Sequence, residues 1–397
     1  MFRRFLPVLL AACLPACGDS GSESTPTPTG PAWPTGDWST RPPEAQGMDA
    51  ALLERARDYA FQDGKNTQGI VVTRAGFVVA EWYADGSDAT SWGASWSVAK
   101  SFTSALIGIA IDEGLIESVD VSMAEFIRDW AGTEKEKIRL RDVLQMASGL
   151  EWNENYDPNS ASTSDVIQLV IAGGREFEYA AGKPVAAAPG TVFNYSSGNT
   201  MLLSQVIQAS TGMSALDYAR QKLFGPLGIE PADWWRSTEG HTLTFCCLDM
   251  ASRDFARLGL LYARGGQWAG GQLISKGWVT DSVASSPANP GYGYQWWLLG
   301  KRDQEGPPDQ TDPTASPLPP DTFAALGVDT QIIYVIPHLD LVVVRNGRYI
   351  KDSGEAIADP TLLAHYPPFG LNKNLGTFPP DSWNHAEFLK LVLDAIR

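Results

Sequence analysis

The feature that most restricts the fold is the placement of the β-rich runs at opposite ends of the chain. Ile70-Val71-Val72 and Phe77-Val78-Val79-Ala80-Glu81-Trp82 are joined across Arg74-Ala75-Gly76, a pattern that predicts a hairpin. A second pair of runs, Ile332–Ile336 and Leu341–Arg345, flanks Pro337-His338-Leu339-Asp340 and predicts another. Between them apolar residues fall at helical spacing: Ser101–Glu113, Leu140–Ala147, Thr200–Thr211, Ala215–Leu223 and Ser252–Ala263. Further helices are predicted at about Asp49–Gln62, stopped by Gly64, and at about His385–Ile396. The economical architecture is α+β: an antiparallel sheet assembled from both termini, flanking helices, and a mainly helical insert at about 111–285. Gly300–Asp321 holds six prolines and little apolar character, so it is expected to be a long loop. No internal repeat is present.

The first residues read as an address. Arg3 and Arg4 precede an apolar run, Phe5–Ala16, too short to span a bilayer and shaped like the apolar part of a signal peptide. The run ends Leu14-Pro15-Ala16-Cys17-Gly18, which resembles a bacterial lipobox with Cys17 as the lipidated residue. Leu10-Ala11-Ala12-Cys13 is the alternative lipobox, and a plain secretory signal is the other reading. The expected organisation is a signal peptide over 1–17, a Ser/Thr/Pro-rich tether over 18–36 and one catalytic-sized domain over 37–397. That places the domain at a cell envelope, held to a membrane by lipid.

Charge and histidine count remove two function classes. Acidic residues outnumber basic ones 46 to 30, for a net charge of −16 over 397 residues, which repels phosphate backbones and excludes nucleic acid as a partner. The four histidines, His241, His338, His365 and His385, form no metal-binding pair, so neither metal nor organic cofactor is expected. Beyond the N-terminal segment the cysteines are the adjacent pair Cys246-Cys247, for which two buried thiols are expected in preference to a vicinal disulfide.

Chemistry is carried by Ser97-Val98-Ala99-Lys100, where an irregular Gly/Ser/Trp stretch gives way to an apolar helix. On a helix positions i and i+3 share a face, so the amine lies beside the hydroxyl. A helix N-terminus favours a developing alkoxide, and desolvation favours a neutral amine able to take the serine proton. Tyr195 in Tyr195-Ser196-Ser197 follows Pro189-Gly190 and precedes a helix, and a tyrosine beside a lysine can relay a proton to a leaving group. Gly327-Val328-Asp329-Thr330-Gln331 enters the strand Ile332–Ile336, whose first N–H groups are expected to complete an oxyanion hole with that of Ser97. Rival nucleophiles fail: Gly18-Asp19-Ser20-Gly21 lies in the tether with no histidine before it, and there is no Gly-x-Ser-x-Gly elbow.

Ser-x-x-Lys, then Tyr-x-Ser, then a Gly-rich strand entry resembles the serine β-lactamase and penicillin-binding-protein superfamily. The pattern is most similar to its class C-like branch of esterases and 6-aminohexanoate-dimer hydrolases. The likeness runs from about 40 to 397 and includes Leu144-Gln145-Met146-Ala147-Ser148-Gly149-Leu150, the 251–259 segment and Tyr292-Gly293-Tyr294-Gln295-Trp296-Trp297. The resemblance implies Ser97 as nucleophile, Lys100 as its base, Tyr195 as proton relay and Tyr156 as a substrate-contacting loop residue. By position it also implies the N–H groups of Ser97 and Gln331 as the oxyanion pair, and Ser197 where relatives carry an amide that donates to substrate. Val328-Asp329-Thr330 stands where β-lactamases have Lys-Thr-Gly, so Asp329 would repel the substrate carboxylate that their lysine holds. The expectation is a lipid-anchored serine hydrolase acting on a small or peptide-like ester or amide through an acyl-enzyme. The alternative is a non-hydrolytic module that binds envelope peptides or β-lactams.

Overall fold

A computed structural model describes residues 32–301, 318–348, 365 and 382–397. The lipobox with Cys13 and Cys17, the signal segment and most of the proline-rich 300–321 loop lie outside the described residues.

Both hairpins form, and they meet. β1 (Thr67–Arg74) and β2 (Phe77–Tyr83) turn at Ala75 and Gly76, both with positive φ (52° and 79°), the geometry whose twist matches a tight hairpin. Near the other end lie β3 (Phe323–Gly327), β4 (Gln331–Ile336) and β5 (Leu341–Gly347). The strand order is β2-β1-β5-β4-β3, with β1 antiparallel to β5 from Arg74 opposite Leu341 to Thr67 opposite Gly347. The sheet is thus closed across the whole chain, as the sequence predicts. A short three-stranded sheet, which hydropathy patterning missed, joins Trp92–Ala94 and Asp233–Trp234 to Leu248–Ala251.

Apolar runs in β4 and β5 are unbroken because both faces of the sheet are covered. Ile70, Val72, Tyr334 and Val343 point to one side, where they pack with α1 (Ala50–Ala60) and a C-terminal helix, His385–Asp394. Val71, Ile333, Val342 and Val344 point to the other side, into the larger core built on the helical region. There α2 (Ala99–Asp112) is buried almost all round, as a central helix must be to lie inside a core. The remaining helices used below are α3 (Asp165–Val170), α4 (Ser197–Thr211) and α5 (Ser252–Ala263). The helix expected over Leu140–Ala147 ends at Leu144, where Met146 (φ 57°) and Gly149 (φ 77°) turn the chain.

α5 lies flush on the sheet through Gly259. A Cβ there would stand 2.5 Å from Val342 Cγ1 and 2.9 Å from Ile333 Cγ2, so neither strand has room for a side chain. Gly259→Ala is expected to lower stability by ~1–3 kcal/mol through overpacking, read as a lower midpoint in urea with an unchanged slope. α5 also fastens the entry of the chain. Arg264 Nη1 donates to the Ala32 carbonyl (2.6 Å), and Arg257 donates to the carbonyls of Pro34 and Gly36. Carbonyls within residues 32–36, assigned to the tether from composition, are therefore fastened to α5 and its end.

Cys246 and Cys247 are joined in a disulfide, which corrects the expectation of two thiols. The reason is local: Cys247 adopts φ 67°, and this turn swings the neighbouring sulfurs together.

Candidate active site

Ser97 sits in a single 3-10 turn, Trp96–Val98, that runs into α2. Trp96 is held at φ 43°, a left-handed conformation that a large side chain adopts only when its surroundings enforce it. They do so here. The Ser95 N–H donates to the Leu248 carbonyl (2.9 Å), and the Leu248 N–H donates to Ser95 Oγ (2.8 Å). One turn further along, Lys100 is buried, and its Nζ donates to Ser97 Oγ (2.9 Å), Ser197 Oγ (3.1 Å) and the Phe245 carbonyl (3.0 Å). Burial lowers the ammonium from 10.5 to about 8, against a smaller opposing pull from the Glu154 carboxylate. An amine so placed exchanges protons near neutral pH.

Tyr195 precedes α4, whose N-terminus is capped by Ser196 Oγ accepting from the Asn199 N–H (3.0 Å). Its ring stacks on Trp297 (centroids 5.4 Å apart) and lies 5.1 Å from Lys100 Nζ. Burial, helped by Glu154, raises the phenol well above its ordinary value, so it stands protonated, ready to give a proton. Ser97, Lys100, Tyr195 and Ser197 are thus brought together.

The cluster opens into a pocket of about 190 Å³. Trp96, Tyr156, Phe245, Cys246 and Val328 line it together with Val166, Ile167, Val170 and Ile171 from α3 and its end. Val170 and Ile171 are 57% and 64% exposed, making an apolar lip. Tyr156 lines the pocket, and its hydroxyl donates to Glu154 Oε1 (2.6 Å).

The third motif is placed differently from the expectation. The strand beside the nucleophile is β3, not the strand that Gln331 begins. Gln331 lies one strand inward, paired with Gly327, fully buried, with its amide bonded to Gly347 and Asn346 at the C-terminal end of β5. Gly327 instead abuts Ser97: a Cβ there would stand 3.0 Å from the Ser97 N atom and 2.6 Å from the Ser95 carbonyl oxygen. The next residue, Val328, lines the pocket. Asp329 follows on an exposed left-handed turn (φ 55°), where its Oδ2 accepts from Trp96 Nε1 (3.1 Å). Arg345, buried beneath, clamps this turn by donating to the carbonyls of Asp329 (3.1 Å) and Thr330 (2.7 Å).

Sequence reasoning passed over Glu154, although it stands only two residues from Tyr156. Among the described residues no group of three His, Cys, Asp or Glu side chains is arranged to hold a metal ion, and no helix is long and apolar enough to cross a membrane.

A serine with a buried lysine one helical turn on and a tyrosine above them, at the edge of a sheet built from both chain ends, defines the active-site-serine superfamily of β-lactamases and penicillin-binding proteins. The Beta-lactamase family model matches residues 56–356, and the chain belongs to that family. The chain is 26% identical over 299 residues to the 6-aminohexanoate-dimer hydrolase of Paenarthrobacter ureafaciens, covering 70% of this chain and 72% of that protein. A D-aminopeptidase of Brucella anthropi is 25% identical over 143 residues, which is 34% of this chain and 25% of that protein. Two solved structures share the fold. EstCE1, a hydrolase with promiscuous acyltransferase activity, superposes with a TM-score of 0.64 at 13% identity, covering 89% of this chain and 99% of that one. A penicillin-binding protein homologue from Caulobacter crescentus gives 0.56 at 16% identity, covering 74% and 90%.

Proposed function

We propose that this protein is a serine hydrolase that cleaves a neutral, largely apolar ester or amide through an acyl-enzyme on Ser97. The observation that carries the reading is the 2.9 Å contact between Lys100 Nζ and Ser97 Oγ at the foot of an apolar pocket. In its neutral form Lys100 takes the Ser97 proton as Oγ attacks the carbonyl carbon. The resulting oxyanion is held by the N–H groups of Ser97 and Val328, the latter taking the role expected of Gln331. Tyr195 gives its proton to the leaving oxygen or nitrogen and recovers one through Lys100. Water then attacks the acyl carbon by the reverse relay, releasing acid and free serine. The curated relatives above, named as hydrolase and aminopeptidase, favour turnover over a non-hydrolytic binding module.

Pocket chemistry narrows the substrate. Among the described residues lining the pocket none is cationic, and Asp329 places an anion beside Trp96 at its wall. A substrate carboxylate of the kind penicillins carry meets repulsion there. The wild-type protein is expected to prefer a p-nitrophenyl ester to nitrocefin in kcat/KM, and Asp329→Lys is expected to improve nitrocefin by about tenfold, the worth of one charge-assisted hydrogen bond. A wild-type preference for nitrocefin, or no gain in the lysine variant, rejects the charge argument. Intact mass after incubation with each compound separates turnover from a persistent adduct.

The lipid anchor belongs to the same proposal. Lipid on Cys17 would hold the domain at the envelope face of a bacterial membrane, with 18–31 as spacer. Membrane fractionation of wild type and Cys17→Ser tests it, and lipid found on Cys13 moves the site.

A further inference from the structure

We propose that Glu154 is a positioning residue that, through Ser197, aims the lone pair of Lys100 at Ser97. This rests on the serine–lysine reading above and goes beyond it, because Glu154 touches none of the reacting atoms.

The inference follows from counting protons. The Glu154 carboxylate accepts from the Ser197 N–H (2.9 Å), the Ser197 hydroxyl (2.6 Å), the Tyr156 hydroxyl (2.6 Å) and the Trp152 indole N–H. A carboxylate only accepts, so the single Ser197 hydroxyl proton is committed to it. Toward Lys100 Nζ, 3.1 Å away, Ser197 Oγ can then only accept, and the Phe245 carbonyl at 3.0 Å can do nothing else. A neutral lysine has two N–H bonds and one lone pair. With both N–H bonds drawn to these fixed acceptors, the lone pair is left for the third neighbour, Ser97 Oγ at 2.9 Å. Without Glu154, the Ser197 hydroxyl is free to rotate and donate to that lone pair, competing with the nucleophile for it. Ser197 therefore serves as a relay of orientation, which accounts for a hydroxyl at a position where an amide would bring donors of its own.

Glu154 also acts on Lys100 through space. It is the charged group acting on the amine among the described residues, and Tyr195, Tyr156 and Tyr292, packed on Tyr195, are the other titratable side chains of the cluster. Its negative charge favours the ammonium, so its loss lowers the pH at which Lys100 becomes neutral.

The test is steady-state kinetics on a p-nitrophenyl ester across pH 5–10, with circular dichroism to confirm folding. Glu154→Gln keeps the shape but brings N–H donors to Ser197. It is expected to lower kcat by about 10–100-fold with KM within about threefold, and to move the acid limb of kcat/KM to lower pH. Glu154→Asp restores the charge and is expected to return that limb toward wild type. Ser197→Ala keeps the charge and is expected to lower kcat without the shift, and the Glu154→Gln/Ser197→Ala double variant should be little worse than the poorer single one. Wild-type kcat and an unmoved limb in Glu154→Gln overturn the proposal while an inert Ser97→Ala leaves the parent reading standing. An active Ser97→Ala overturns both. If Glu154→Gln does not fold, Ser197→Ala decides alone: an undiminished kcat rejects the relay.

Discussion

Ser97→Ala is expected to abolish hydrolysis of an activated ester, with a fall of at least about three orders of magnitude. The substitution removes one oxygen from a half-buried site and leaves the Lys100 amine its contacts with Ser197 and Phe245. The fold has little reason to respond, and the melting temperature should move by no more than about 2 °C. Covalent labelling gives the sharper readout. A fluorophosphonate should add one adduct to the wild-type mass and none to the variant. An alanine variant that labels at the wild-type rate would place the nucleophile elsewhere.

Lys100→Met should be equally inactive, and it exposes what the buried amine costs the fold. The base must be neutral to accept a proton, so wild-type kcat/KM should rise with pH and reach half its plateau near about 8. The linked effect on stability has a definite sign. Because the folded-state value lies below 10.5, between about 8 and 10.5 the unfolded chain binds a proton that the folded protein has released. Unfolding free energy therefore gains a rising contribution with pH across that window. Below about 8 the folded protein carries the full penalty of a buried ammonium, ~3 kcal/mol. The methionine variant lacks this contribution. Subtracting its pH–stability curve from that of wild type should leave a step confined to pH 8–10.5, and a flat difference would mean that Lys100 is not depressed.

The parts of the site that sequence made legible are those fixed by short spacing. Ser97 and Lys100 meet because a helical turn brings i and i+3 together whatever else the chain does. Tyr195 was recognisable from its order relative to that pair and from the helix start behind it. The third motif failed for a physical reason. β3 contains Ala324, Ala325 and Gly327, which carry little strand preference, whereas Ile332–Ile336 reads as a strand at once. The strong run drew the edge assignment, and Gln331 with it, one strand too far inward. Glu154 was passed over for another reason: its link to Lys100 runs through Ser197, 43 residues further along the chain, and spacing along the sequence does not encode that contact. The Cys246–Cys247 bridge depends on a left-handed φ that no residue type there announces.

A sheet closed by the two ends of one polypeptide also sets a schedule for its manufacture. β1 leaves the ribosome with half of its pairing face unmatched, because Leu341, the partner of Arg74, is made roughly 270 residues later. At ~5–20 residues per second the wait is about 15–50 s. For that interval the nascent hairpin offers an open edge of the kind that recruits foreign strands. The hazard thus lies in birth more than in service, and a ribosome that stalls between residues 83 and 341 releases a hairpin whose β1 edge has no partner to receive it.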